Sequence, residues 1–141
     1  MNMNPNGTPQ TSRWFDQVKA FTEAMGQPVG EDITSIDNHD LLEMRAELIE
    51  EELWEVSREF PTYFPGDGRM DKAALTKELA DLIYVTIGMA VTFGLPLCEV
   101  FERVHQSNMS KLGEDGKPIY REDGKVMKGP NYQPPQLGDL F

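Results

Sequence analysis

Cysteine is almost absent from this 141-residue chain, and its single thiol, Cys98, excludes an internal disulfide. Cys98 lies in an apolar run with no histidine and acid arranged beside it, so it reads as packing rather than as a nucleophile. Histidine is nearly as scarce, at two residues. Positive charge is short as well: 13 Lys and Arg stand against 24 Asp and Glu, a net charge of -11, the opposite of the basic surface that polymeric nucleic acid requires. Nor is there a membrane-length apolar run. The longest charge-free stretch, Leu82 to Cys98, is broken by Gly88, Gly94 and Pro96 and falls below the ~20 residues that a spanning helix needs. Met1 to Ser12, rich in Asn, Pro, Thr and Gly, has neither the basic start nor the apolar centre of a signal peptide and reads as a loose tail. The expectation is one cytoplasmic domain over residues 13–141, in a reducing compartment.

What is present is helical patterning. A first helix is expected from about Thr11 to Met25, with Phe15, Val18, Phe21, Trp14 and Met25 toward the core, ending at Gly26 before Pro28. Asp37 or Asn38 is placed to cap a second helix that runs to about Phe60 and stops at Pro61. A third begins near Asp71 and continues to about Phe93; it is apolar on most sides after Asp81, which implies burial by its own chain and by a second subunit. Pro96 opens a fourth, to about Leu112. Asp-Gly turn signals then predict a small β-hairpin, Lys117 to Arg121 with Lys125 to Lys128, turning at Glu122 to Gly124. An isolated hairpin is marginal, so it must dock on something. The expected fold is therefore all-α: an antiparallel bundle of four to five helices with a C-terminal hairpin and a dimeric core.

Five carboxylates stand out against this frame. Glu51, Glu52 and Glu55 lie on the second helix, and Glu78 and Asp81 on the third, after twenty-two intervening residues. At 100° per residue, Met44, Leu48, Leu41, Val56, Ile49, Leu42 and Leu53 occupy one arc of about 180°, with Glu52 in its middle and Glu55 among the same apolar residues. An unpaired carboxylate in a dry interior costs several kcal/mol or takes up a proton, so something cationic should face them. The third helix offers no obvious cation at the matching place. It offers Glu78 and Asp81, two more acids one turn apart. A divalent ion resolves the repulsion, and an all-oxygen donor set suits Mg²⁺ or Mn²⁺ better than zinc or copper. Glu47, Glu50 and Glu59 read instead as a solvated helix face.

The spacing EExxE, twenty-two residues, ExxD resembles the signature of the all-α nucleoside triphosphate pyrophosphohydrolases, a superfamily that includes MazG, the dimeric dUTPases and phosphoribosyl-ATP pyrophosphohydrolase. The stretches His105 to Lys111, Arg121 to Lys125 and Lys128 to Tyr132 resemble its single-domain MazG-like branch. The resemblance implies hydrolysis of a (deoxy)nucleoside triphosphate such as dGTP or dUTP to the monophosphate and pyrophosphate, with two to three ions per site in a homodimer or homotetramer. It implies Glu51, Glu52, Glu55, Glu78 and Asp81 as ligands. Either Glu51 or Glu52 would act as general base, and sequence leaves the two open. Asn108, Lys111, Lys125 and Lys128 would contact sugar and phosphates. Charge distribution agrees: residues 1–102 hold 7 basic and 19 acidic side chains, whereas 103–128 hold 6 basic and 4 acidic, an arrangement suited to a small anion bridged by metal.

Other readings compete. Trp14, Trp54 and Tyr84 are candidates to stack on a base, although aromatics at helical spacing usually belong to a core. Tyr132 reads as packing the tail. Glu102 and His105 form an ExxH pair of the kind used by redox carboxylate bundles, but those need the pair on two helices, and His39 is preceded at the matching place by Ile36. A phosphoribosyl-ATP pyrophosphohydrolase and a non-catalytic, nucleotide-binding helical dimer are the remaining alternatives.

Overall fold

The computed structural model describes residues 10–31 and 38–141. Four helices and one hairpin make up the fold: α1 Gln10–Ala24, α2 His39–Arg58, α3 Lys72–Phe93, α4 Leu97–Met109, β1 Ile119–Tyr120 and β2 Val126–Met127. The chain falls into two compact units, residues 1–95 and 96–141. Residues 1–9 of the expected tail and Asp37, one of the two expected caps, lie outside the described residues; Gln10 to Ser12 already belong to α1.

In the first unit α3 is the central element, with α1 and α2 both packed on it. Its start is fixed by Asp71, whose carboxylate accepts a hydrogen bond from the Ala74 amide at 3.0 Å. Its end is fixed by Gly94, which takes the left-handed conformation (φ 64°) that a side chain would resist, while Pro96 prevents further winding. The buried stretch of α3 is its C-terminal half: Ile87, Gly88, Ala90, Val91, Thr92 and Phe93. Val18 and Thr22 meet it from α1 and Val56 from α2. Asn38 caps α2 without a side-chain bond to the helix; its amide donates instead to Glu31 at 3.2 Å.

The structure shows two features that the sequence reading does not contain. Trp14, Phe21 and Met25 are exposed rather than buried, and so is Leu53 of α2. Among the described side chains of α1 only Val18 and Thr22 are buried, and Trp14 lines an open apolar groove against α3 rather than a closed core. Phe21 still makes an edge contact with Tyr84, ring centroids 5.7 Å apart. The second feature is Arg45, which is 5 % exposed and lies within the α2–α3 packing. Its guanidinium is seated over Gly88, where a Cβ would come within 3.0 Å of it, and it donates to Gln27 Oε1 at 2.9 Å. Burial holds its pKa below the ordinary arginine value.

The second unit is built on α4. Strands β1 and β2 are antiparallel, with Ile119 opposite Met127 and Tyr120 opposite Val126. Gly124 N–H donates to Arg121 O at 2.9 Å and Arg121 N–H to Lys125 O at 2.8 Å, closing the turn where the Asp-Gly signal placed it. The hairpin is joined to the end of α4 by main chain: Gly129 N–H donates to Lys111 O at 2.8 Å. A Cβ on Gly129 would fall 2.5 Å from Leu112 O and 2.7 Å from Lys111 O, so no other residue fits that approach. The tail is tied back to α4 through Arg103, which pairs with Asp139 and donates to Gln136 O at 2.8 Å, and through Ser107, whose hydroxyl donates to Gln133 O at 2.8 Å. Among the described residues no helix is long and apolar enough to cross a membrane.

The Gly129 contact makes a direct prediction. Gly129→Ala should cost about 1–3 kcal/mol, the range for forcing atoms into a filled space, and hydrogen exchange should quicken at the Gly129 amide and along the hairpin while α3 keeps its protection.

Candidate metal centre

Helices α2 and α3 are antiparallel neighbours. Glu52 faces Glu78 and Asp81, while Arg45, seven residues before Glu52, faces Gly88, seven after Asp81. This geometry brings one carboxylate oxygen from each of Glu52, Glu78 and Asp81 within 4.8 Å of the others. Among the described residues it is the one group of three or more His, Cys, Asp and Glu side chains close enough to share an ion. Helical spacing accounts for it: Glu78 and Asp81 are three apart on α3 and share a face, and Glu52 sits on the α2 arc that packs against that face.

The local electrostatics are those of crowded acids. The Glu52 carboxyl is pushed above its ordinary pKa, first by burial, then by the charges of Asp81 and Glu78, with Glu55 adding to the push. The Glu78 side chain is 13 % exposed, and its Oε2 is buried without a hydrogen-bond donor among the described residues. A buried carboxylate oxygen without a donor is costly and calls for a cation. A hard divalent ion with oxygen ligands fits this donor set, since it would coordinate the orphaned oxygen and discharge the repulsion on Glu52.

One cation is already there, and the sequence reading overlooked it. Lys77 Nζ lies 2.7 Å from Asp81 Oδ2 and 3.3 Å from Glu78 Oε1. Hydrogen bonds to Asp81 and then Glu78 raise its pKa above the ordinary lysine value. The signal was legible, because Lys77 stands four residues before Asp81, the spacing at which opposite charges meet on a helix.

The other expected site residues are distributed as follows. Glu55 stands beside the trio, half-exposed and 3.7 Å from Arg58 on its own helix. Glu51 is exposed at the border of the cluster. Asn108, Lys111, Lys125 and Lys128 all belong to the second unit, where the Gly129 bond brings the backbones of Lys111 and Lys128 together. Asn108 is exposed near the end of α4 and Lys125 stands directly before β2. Lys128 Nζ lies 4.6 Å from the centre of the Tyr132 ring, a cation–π contact that gives Tyr132 a role in holding this lysine. Trp54 is exposed and packs edge-on against Phe64 of the α2–α3 loop, while Trp14 and Tyr84 line one apolar groove between α1 and α3.

Carboxylates converging from two antiparallel helices, in an otherwise all-α chain, define a helical acid-cluster scaffold for a hard cation. The model of the phosphoribosyl-ATP pyrophosphohydrolase family matches residues 18–108, a span that contains α2, α3 and the whole acid cluster. The chain belongs to this family, within the MazG-like NTP pyrophosphohydrolase superfamily. It is also similar to a solved structure of a candidate NTP pyrophosphohydrolase from Exiguobacterium sp. 255-15, at 26 % identity over 90 % of this chain and 89 % of that one, with a TM-score of 0.43. No curated protein matches the chain.

The raised pKa of Glu52 has a consequence for stability. Its charged form is a cost in the metal-free fold, and protonation removes that cost as the pH falls through the raised value. Glu52→Gln should therefore raise the metal-free melting temperature near neutral pH by about 2–4 °C, and the advantage should shrink as acid protonates the wild-type side chain. Thermal melts in EDTA at neutral pH and at successively lower pH measure both.

Proposed function

We propose that this protein is a divalent-metal-dependent pyrophosphohydrolase that converts a nucleoside triphosphate, with deoxynucleotides such as dGTP or dUTP foremost, to the monophosphate and pyrophosphate, cleansing or reshaping the nucleotide pool. The observation that carries the reading is the convergence of Glu52, Glu78 and Asp81 around a buried carboxylate oxygen with no donor. Family membership supports the reaction class.

In this reading Glu52, Glu55, Glu78 and Asp81 hold Mg²⁺ or Mn²⁺, two to three ions per site. Glu51, or Glu52 in its place, orients the attacking water and takes its proton. The bound metal would supply neutralisation of phosphate charge. Asn108 bonds sugar or phosphate, and Lys111, Lys125 and Lys128 answer the triphosphate's negative charge; they lie in the stretch where basic side chains outnumber acidic ones. The exposed apolar residues of α1 and α3, Trp14, Phe21, Leu79, Ile83 and Tyr84, support a homodimer or homotetramer. The working compartment is the cytoplasm.

A second substrate is favoured by one specific finding: the matching family is the one described as phosphoribosyl-ATP pyrophosphohydrolase. Phosphoribosyl-ATP presents the same scissile triphosphate, so both substrates use the same carboxylates.

The deciding experiment measures monophosphate and pyrophosphate release from ribo- and deoxynucleoside triphosphates and from phosphoribosyl-ATP, with Mg²⁺, Mn²⁺ or EDTA. Metal-dependent monophosphate formation is expected for the wild type, together with its loss in Glu52→Gln and Asp81→Asn while both variants remain folded. A folded Glu52→Gln protein with full activity would defeat the site, and silence across the panel would leave a non-catalytic nucleotide-binding helical protein.

Metal binding has its own readout. Ions that bind the folded cluster better than the unfolded chain stabilise by about 2.7 kcal/mol at a hundred times Kd. Millimolar Mn²⁺ should thus raise the melting temperature by several degrees, and an unchanged midpoint would count against the site.

A further inference from the structure

Lys77 is the charged group at the cluster that the proposed reaction leaves unused. It belongs to α3, directly before Glu78 and one turn before Asp81, and its ammonium touches both carboxylates. The side chain is 67 % exposed, so ionic contact rather than packing holds it in place. Its partners are the same two carboxylates that an ion would have to bridge to Glu52.

Building on the metal-dependent reading above, we propose that Lys77 is a competing cation built into the ion site: its ammonium holds Glu78 and Asp81 in the metal-free protein and must leave before a divalent ion can bridge them to Glu52.

Mg²⁺ and ions like it bind oxygen at about 2.0–2.1 Å, so an ion taking an oxygen from each of Glu78 and Asp81 sits within a few ångströms of the present ammonium. The two cannot coexist there cheaply. An ammonium held about 4 Å from a divalent ion weakens its binding roughly thirtyfold even at the dielectric of bulk water. The flexible four-carbon stem lets the ammonium swing out, and what it gives up is an exposed ion pair, which contributes little. Displacement is therefore easy, and it leaves a mark on affinity. Lys77 spares the empty site part of its self-repulsion and, by the same contact, loosens the grip on metal, so that occupancy follows the free concentration of the ion. Lys77 is a positioning residue in this scheme; it acts through Glu78 and Asp81 and touches no reacting atom.

The test measures Mn²⁺ binding to the intact protein by calorimetry and by the spin resonance signal of free Mn²⁺, without nucleotide. Lys77→Met should bind Mn²⁺ between about threefold and thirtyfold more tightly than wild type. Its metal-free melting temperature should fall, so that the rise produced by Mn²⁺ widens. Lys77→Arg, which keeps the charge, should stay near wild type. Lys72→Met, which removes the same charge from the start of α3, should leave the affinity unchanged. Saturable binding by wild type with equal or weaker binding by Lys77→Met would overturn the competing-cation role and leave the metal reading standing, as would equal tightening in Lys72→Met. If wild type and Lys77→Met alike show no saturable binding, the metal reading itself falls and the proposal with it. Lys77→Gln repeats the measurement should the methionine variant fold poorly.

Discussion

Mutual repulsion among carboxylates that two packed helices hold close together sets the terms for this molecule. The α2–α3 seam cannot relax by letting its acids drift apart, because Val56, Ile87, Ala90 and Val91 fix the helices by burial elsewhere in the unit. The charge must be answered where it stands. Three answers coexist: Glu52 moves toward protonation, Lys77 reaches back along α3, and Glu78 keeps one oxygen without a donor. None of these is a full neutralisation, and the incompleteness is what makes the cluster a candidate for chemistry rather than a core salt bridge. Arg45 adds the complementary feature two turns down α2, a buried positive charge on the same helix face. The seam is polarised along its length, acid at one end and guanidinium at the other.

Much of this was legible beforehand, for reasons tied to particular residues. The helix boundaries follow from chemistry acting within a few positions: the Asp71 cap, the Gly94 and Pro96 stop, the Asp-Gly turn of the hairpin. The convergence of Glu52 with Glu78 and Asp81 follows from the 3.6-residue period together with the antiparallel return of α3 along α2. What escaped depends on contacts a wheel does not encode. A wheel ranks residues by face but says nothing of how much of that face a neighbour covers, and Trp14, Phe21 and Met25 remain exposed while Val18 and Thr22 are buried. Arg45 escaped for the converse reason. Nothing in an isolated arginine announces burial; the cause lies on another helix, in the missing side chain of Gly88. Lys77 is legible from its four-residue spacing to Asp81 within α3, a pairing that the α2 arc around Glu52 does not contain.

The two units divide the labour by charge. The first holds the acid cluster and most of the negative excess; the second holds Lys111, Lys125 and Lys128 on a framework of main-chain bonds and a tail fastened by Arg103. The residues matched by the family end at Asn108, just short of these lysines. The family-matched span and the basic segment are thus separable in sequence as well as in compactness.

Gly129 fixes the geometry of the second unit's basic segment. Because the joint between the hairpin and the end of α4 is a backbone amide against backbone carbonyls, the spacing between the Lys111 and Lys128 backbones does not depend on which side chains decorate the strands. Side chains of β1 and β2 can change in size or polarity while the Lys111 and Lys128 backbones keep their spacing. The anchorage of the hairpin therefore rests on main chain alone, so long as one hydrogen atom occupies the place where every other amino acid would carry a carbon.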